Sequence, residues 1–217
     1  MSLTDEIAAF EAEKKRTHDP DILELMDVTT ADLIATGIAE RAVGVGERAP
    51  MFELPDHFGR PVSLAGLLKT GPVILNFYRG GWCPYCNLEL RAYQRALPRI
   101  RDLGGHLVAV SPMLPDNSLG AADKNDLEYP VLSDVGNQVA AEYGLVFEVD
   151  ARIRDIYTER LGIDMVENYG DDSFQLPLPA LYVIGRDGRI VFAYVNADYR
   201  LRAAPEDVMA AFEIAAD

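Results

Sequence analysis

The chain of 217 residues carries 20 Lys plus Arg against 35 Asp plus Glu, a formal charge of -15, with 49% hydrophobic and 25% charged residues. A chain of this size and balance buries a core without a metal or disulfide staple, which excludes wholesale disorder and collagen-like structure, and so acidic a surface repels phosphate backbones and anionic lipid. Nucleic acid and membrane are not expected partners; with no apolar run near the ~20 residues of a spanning helix and no secretory pattern in MSLTDEIAAFEAEKKR, a cytoplasmic address is expected.

In chain order, Ile7, Phe10 and Lys14 follow helical spacing until Asp19-Pro20 interrupts it. A second helix is expected from an N-cap at Thr30 through Leu33, Ile34, Ile38 and Val43 to a stop at Gly44 and Gly46. Residues 1–44 thus read as an N-terminal helical arm that packs on a main domain, residues 45–217, or on another subunit. A partly frayed leader is the alternative.

From Val45 strands and helices alternate. Pro72 to Tyr78 and His106 to Val110 are nearly continuous apolar runs, the pattern of strands buried on both faces. Between them Leu90, Tyr93, Leu97 and Ile100 share one helix face and Gly104-Gly105 supplies the stop, so the three form a right-handed crossover. Asp116 or Asn117 is the expected cap of a short helix, Val131-Leu132 a minor strand, and Asn137 to Tyr143 a helix ending at Gly144. Ala180 to Ile184 and Ile190 to Tyr194 flank an Asp-Gly turn and predict an antiparallel hairpin, followed by a last helix near Pro205. The sum is an α/β sandwich with a mixed central sheet.

Both cysteines fall in one tetrapeptide, Cys83-Pro84-Tyr85-Cys86, where a buried strand ends and a helix begins. Cys83 falls at the expected N-cap with Pro84 at the first helical position, so the helix N-terminus favours a thiolate there. Cys86 lies under the first turn, close enough to form a disulfide with Cys83. A zinc knuckle would need a second ligand pair; His18, His57 and His106 show no ligand spacing, so no metal and no cofactor is expected. Two inert buried thiols are the remaining bland reading.

Val45-Gly-Glu-Arg-Ala-Pro-Met-Phe-Glu-Leu54, Gly59, Leu64, Val73 to Tyr78, Pro130 to Asp134, Ala141 to Gly144 and the terminal hairpin resemble the peroxiredoxin family, the alkyl hydroperoxide reductase and thiol-specific antioxidant (AhpC/TSA) group, over about residues 45–195. The resemblance implies a thioredoxin-like fold. It also implies a cysteine that reduces peroxide through a sulfenic acid and is recycled by thioredoxin, glutaredoxin or glutathione; a homodimer is admitted. On the family's Phe-Tyr-Pro…Thr-x-x-Cys pattern, Cys86 matches the peroxidatic cysteine, Cys83 replaces the threonine, Arg79 replaces the proline, and the late arginine falls on Pro179. The replacements resemble thioredoxins and glutaredoxins instead: Trp82-Cys83-Pro84-Tyr85-Cys86 is similar to their site, and Leu178-Pro179-Ala180 to their cis-proline loop.

Two mechanisms compete for the same cysteines. As a peroxidase, a thiolate attacks the O–O bond and the other cysteine condenses the sulfenic acid to a disulfide. As a thiol-disulfide oxidoreductase, Cys83 attacks a substrate disulfide and Cys86 resolves it; a non-enzymatic binding module is the third reading. The helix tip favours Cys83 as nucleophile and family alignment favours Cys86. Peroxide reduction by Cys83 and Cys86, with Arg79 supplying the missing positive charge, is the reading adopted. Trp82, Pro84, Tyr85 and Pro179 are the expected substrate-binding residues. Asn76 reads as a satisfied core amide, and Asp198-Tyr199-Arg200 with Arg202 as a solvated loop, with a border of the site as the alternative.

Overall fold

The computed structural model describes residues 1–216. The Ser2 hydroxyl accepts from the Asp5 N–H while the Asp5 carboxylate accepts from the Ser2 N–H, a capping box that starts helix α1 (Leu3–Thr17). Asp19 caps α2 (Pro20–Ala35), with Pro20 in its first turn, and Gly37 at φ +65° ends it. Thr30 is therefore no cap. It lies inside α2 and donates its hydroxyl to the Met26 carbonyl at 2.7 Å, because Asp19 and Pro20 start the helix earlier. After Gly37 the chain makes only a 3₁₀ turn, Ala39–Arg41, where the helix was expected to continue.

The hairpin β1 (Glu53–Pro55) and β2 (Pro61–Ser63) leads through α3 (Leu64–Leu68) to β3 (Val73–Phe77), α4 (Pro84–Asp102) and β4 (His106–Ser111). Then come α5 (Pro115–Lys124), β5 (Val131–Ser133), α6 (Gln138–Glu142), β6 (Val146–Glu148), α7 (Ala151–Asp155) with a π turn at Ile156–Arg160, and α8 (Met165–Tyr169). The strands β7 (Gln175–Pro177), β8 (Ala180–Ile184) and β9 (Ile190–Val195) precede α9 (Pro205–Ala216). The start of α5 departs from expectation: Leu114 occupies the cap position without a side-chain bond, because Pro115 is pre-set for the first helical turn.

The central sheet has five strands in the order β5-β4-β3-β8-β9, parallel from β5 to β3 and antiparallel from β3 through β8 to β9. This is the expected mixed sheet. Alternation along β3 divides the core: Ile74 and Tyr78 face the layer of α4, α5 and α9, while Val73, Leu75 and Phe77 face that of α3 and α6. Leu90, Tyr93, Leu97 and Ile100 all bury on the inner face of α4, and Gly104 at φ +73° turns the chain into β4. The arm docks at two places, α1 on α4 and α2 on α7.

Candidate active site

The loop Arg79–Trp82 leaves the end of β3, where the Tyr78 N–H still donates to the Val110 carbonyl at 3.0 Å. A Cβ on Gly81 would stand 2.8 Å from the Ala121 Cβ, so the close approach of loop to α5 requires glycine. The Gly81 carbonyl accepts from Asn87 Nδ2 at 2.9 Å, and Asn87 Oδ1 in turn accepts from Asn125 Nδ2 at 3.0 Å. This chain fastens the loop to both α4 and α5. Cys83 is then the N-cap of α4 with Pro84 in its first turn, as the sequence predicts.

Cys83 and Cys86 are free thiols, both 0% exposed, and approach each other to 3.0 Å. Burial alone would raise the Cys83 thiol; the Cys86 S–H donated to it and the charges of Arg79 and Arg202 outweigh burial and hold it well below the usual thiol range. Cys86 moves the other way, driven up by burial, by the bond it donates and by the adjacent Cys83 charge. The direction at Cys83 agrees with the sequence, but the cause differs. Its side chain makes no cap hydrogen bond to the helix N–H groups; instead Arg79 Nη2 donates to its sulfur at 3.1 Å.

Arg79 is 4% exposed and wedged between rings, its guanidinium carbon 4.1 Å from the Tyr199 centroid and 5.1 Å from that of Trp82. Tyr157, on the π turn, accepts from Nη1 at 3.5 Å, and Nε has no partner among the described residues. The Tyr169 hydroxyl links the site further, donating to the Arg79 carbonyl at 2.7 Å and accepting from the Trp82 indole at 2.7 Å.

The loop after β9 is not solvated along its length. Arg202 is buried, donates Nε to Glu89 at 2.8 Å and directs Nη2 at the Cys86 sulfur from 3.5 Å. Burial pushes the Glu89 carboxyl up against the opposing charge and hydrogen bond of Arg202. Asn76 corrects a second expectation: it faces Glu89 from β3, yet neither amide atom reaches hydrogen-bond geometry, because Glu89 turns to Arg202. Sequence reasoning missed Glu89 altogether, although Cys86, Glu89, Leu90 and Tyr93 share the spacing of one helix face.

Two cavities meet at Arg79, Tyr157, Tyr199 and Met26. One, about 270 Å³, is lined by Trp82, Pro84 and Tyr85 of the motif and by Phe10 and Lys14 of α1. The other, about 210 Å³, runs between α2 and α7 and carries Pro179 on its wall. Pro179 shares the wall of that second cavity with Arg79 and does not line the cavity over the motif, and all described peptide bonds are trans, so the likeness to a cis-proline loop goes no further. Tyr85 is buried, since the arm covers it: Phe10 stacks on it edge-on at 5.1 Å, Lys14 Nζ donates to its hydroxyl at 3.0 Å, and that hydroxyl donates to Glu11.

A sheet of this order with a dithiol at the start of the following helix, one sulfur acidic and beside a buried guanidinium, defines a thiol-based oxidoreductase of the thioredoxin superfamily. The profile of the AhpC/TSA family matches residues 45–193, and the chain belongs to that family, the peroxiredoxins; it is a thiol peroxidase, with peroxide as oxidant and a thiol as reductant. A chloroplastic peroxiredoxin Q of Sedum lineare is 33% identical over 100 residues, 46% of this chain and 53% of that one. Among solved structures, the peroxidoxin BcpB of Mycobacterium tuberculosis superposes with a TM-score of 0.61 at 22% identity, over 79% of this chain and 97% of that one. Peroxiredoxin Q of Xanthomonas campestris gives a TM-score of 0.58 at 16% identity, over 76% and 92% of the two chains. The arm and the segment carrying Tyr199 and Arg202 lie outside the matched family residues.

Proposed function

We propose that Cys83 is the peroxide-attacking thiolate and Cys86 its resolving partner, contrary to the order that alignment to the family pattern suggests. The observation that carries this reading is the 3.1 Å bond from Arg79 to the Cys83 sulfur, with the opposed acidities of the two thiols. The Cys83 thiolate takes the distal oxygen of the peroxide and becomes a sulfenic acid. The O–O bond breaks and the leaving oxygen departs, protonated, as an alcohol or as water. Arg79 is placed to stabilise charge on both the sulfur and the leaving oxygen. Cys86 then attacks Cys83, the sulfenic hydroxyl leaves with the Cys86 proton as water, and a disulfide closes.

Two thiols of the reductant restore the dithiol and end as a disulfide. Thioredoxin, glutaredoxin and glutathione all supply that chemistry. Full burial of both cysteines favours the small thiol, or a protein that displaces the arm first. The same burial argues against protein disulfides as substrates, since α2 lies across Pro179 where a peptide would have to dock. A cytoplasmic address suits a dithiol that must be kept reduced, and a homodimer is compatible with the family.

Stopped-flow oxidation of the reduced protein tests the reading. Peroxide should oxidise Cys83 far faster than it does a free thiol of equal acidity, because acidity raises only the thiolate fraction. Arg79→Met should slow that step about tenfold to a thousandfold, the range for losing one charge-stabilising donor. A wild-type rate no better than the free thiol's would overturn the reading.

A further inference from the structure

Breaking the O–O bond strands a negative charge on the leaving oxygen. The thiolate ends as a neutral sulfenic acid, so the electron pair departs as hydroxide or alkoxide, and both are strongly basic. A proton must reach that oxygen as it leaves. Arg79 is placed to stabilise the charge, but a guanidinium does not give up a proton in a protein. The Cys86 thiol has a proton, yet it is donated to Cys83 and held tightly by burial and the adjacent charge. The acid has to be another group.

Tyr157 has the geometry for that task. Its hydroxyl accepts from Arg79 Nη1 at 3.5 Å while Nη2 of the same guanidinium donates to the Cys83 sulfur at 3.1 Å, so phenol and sulfur flank one planar group. Among the described residues none takes the phenol's own proton. Tyr157 is buried and lines both cavities that meet at Arg79, where a peroxide has to arrive. The chain sets it on the π turn Ile156–Arg160, whose Leu161 N–H reaches back to the Ile156 carbonyl at 3.0 Å, and such turns concentrate at functional sites. The neighbouring donors are otherwise engaged. The Tyr169 hydroxyl donates to the Arg79 carbonyl at 2.7 Å, that of Tyr85 to Glu11, and Lys14 is paired with Glu11 and Tyr85. Tyr199 offers Arg79 its ring, 4.1 Å from centroid to guanidinium carbon; its hydroxyl has no partner among the described residues, and burial makes it hold its proton more tightly.

We infer that the Tyr157 hydroxyl is the acid that protonates the leaving oxygen, a further catalytic residue beside Cys83, Cys86 and Arg79. The inference rests on the peroxidase reading and supplies the proton donor that reading requires. As the S–O bond forms and the O–O bond breaks, the phenol proton passes to the leaving oxygen, which departs as water or an alcohol. The phenolate left behind is paired with Arg79. Disulfide closure then expels water and leaves that charge unchanged. When two reductant thiols regenerate the dithiol and end as a disulfide, Cys83 returns as a thiolate, and the proton it does not keep restores the phenol.

An oxidant that needs no such proton separates this role from a structural one. Peracetic acid gives its terminal oxygen to a thiolate and leaves acetate, an anion as stable as the carboxylates of Asp and Glu. Tyr157→Phe keeps the ring and removes the proton; circular dichroism confirms that it folds. In stopped flow the variant should lower the ratio of the hydrogen peroxide rate to the peracetic acid rate about a hundredfold, the lower end of what a positioned acid contributes. In wild type, heavy water should slow the hydrogen peroxide step and spare the peracetic acid step. A folded Tyr157→Phe that keeps the wild-type ratio, whether both rates fall or neither does, would overturn the inference alone, as would a wild-type hydrogen peroxide step indifferent to heavy water. A wild type that hydrogen peroxide oxidises no faster than a free thiol of equal acidity would overturn the peroxidase reading, and this inference with it.

Discussion

Arg202 stands 116 residues beyond Cys86 in the chain and directs Nη2 at its sulfur from 3.5 Å, while Nε holds Glu89. The positive charge absent from position 179, where Pro179 stands, is thus supplied from the loop after the terminal hairpin. Arg79 serves one sulfur and Arg202 the other. The two cations favour the thiolate at Cys83 over burial, and Arg202 also lowers the resolving thiol toward reactivity.

Removing Arg202 should therefore show in both stability and chemistry. Its pair with Glu89 is buried, with side-chain exposures of 2% and 3%. Arg202→Met leaves the carboxylate without its partner and should cost about 3–5 kcal/mol in denaturant unfolding, the scale for breaking a buried ion pair from one side. Arg202→Met with Glu89→Leu should recover most of that stability without restoring the rate of disulfide closure. Recovery of both would reduce Arg202 to a structural role.

The acidity of Cys83 has a definite sign in pH experiments. Its folded value lies well below the usual thiol value of about 8.5, so the folded state binds that proton less tightly than the unfolded state. Stability of the reduced protein relative to Cys83→Ser should then rise with pH from the folded value up to about 8.5, level off above it, and be lost as pH falls through the folded value. The peroxide rate should hold to a lower pH than that of a free thiol and fall as the pH passes down through the folded value. In Arg79→Met the inflection should move upward, because a hydrogen bond and a nearby charge favouring the anion are both gone; thiolate absorbance in each protein measures it.

The strands and helices that position the site are legible in the sequence because their periods are strong: β3 and β4 are unbroken apolar runs, and α4 repeats its apolar face at three and four. Cys83 as N-cap follows from Pro84 and the strand before it. Arg202 carried no such signal, since residues 199–204 lack periodicity and only tertiary folding brings them across to α4. The start of α2 was misread for a different reason. Thr30 has cap chemistry, but Asp19-Pro20 has it earlier in the chain, and the first competent cap governs the helix. The π turn that carries Tyr157 inserts one residue into a helical pattern, which hydrophobic spacing cannot distinguish from an ordinary helix end.

The arm should act as a latch over the dithiol, fastened at Tyr85 by Glu11, Lys14 and Phe10. Tyr85→Phe keeps the ring and removes the hydroxyl that meets both charges. Hydrogen bonds to charged groups contribute about 1.5–3 kcal/mol each, so losing one shifts the closed-to-open balance about tenfold or more. A polymer-tagged maleimide should then alkylate Cys83 about tenfold faster in Tyr85→Phe than in wild type, with a much smaller change for iodoacetamide. Equal acceleration of both reagents would mean a change in thiol reactivity and not in access.

The last prediction concerns the division of labour between the two cysteines. One equivalent of peroxide should leave the wild-type chain lighter by two hydrogens, with Cys83 and Cys86 joined and neither alkylated, because the sulfurs already lie within reach of each other. Cys86→Ser should stop one step earlier, gaining a single oxygen on Cys83 that dimedone traps, since the thiol that expels hydroxide is gone. Cys83→Ser should react only slowly, Cys86 being held as the neutral thiol. Pro179→Thr should leave all three outcomes in place, as Pro179 lines the cavity under α2 and not the one over the motif. A trapped sulfenic acid on Cys86 in place of Cys83 would exchange their roles. A Pro179→Thr variant that loses reduction of protein disulfides, in a wild type that performs it readily and ignores peroxide, would replace the peroxidase with a thioredoxin-like oxidoreductase.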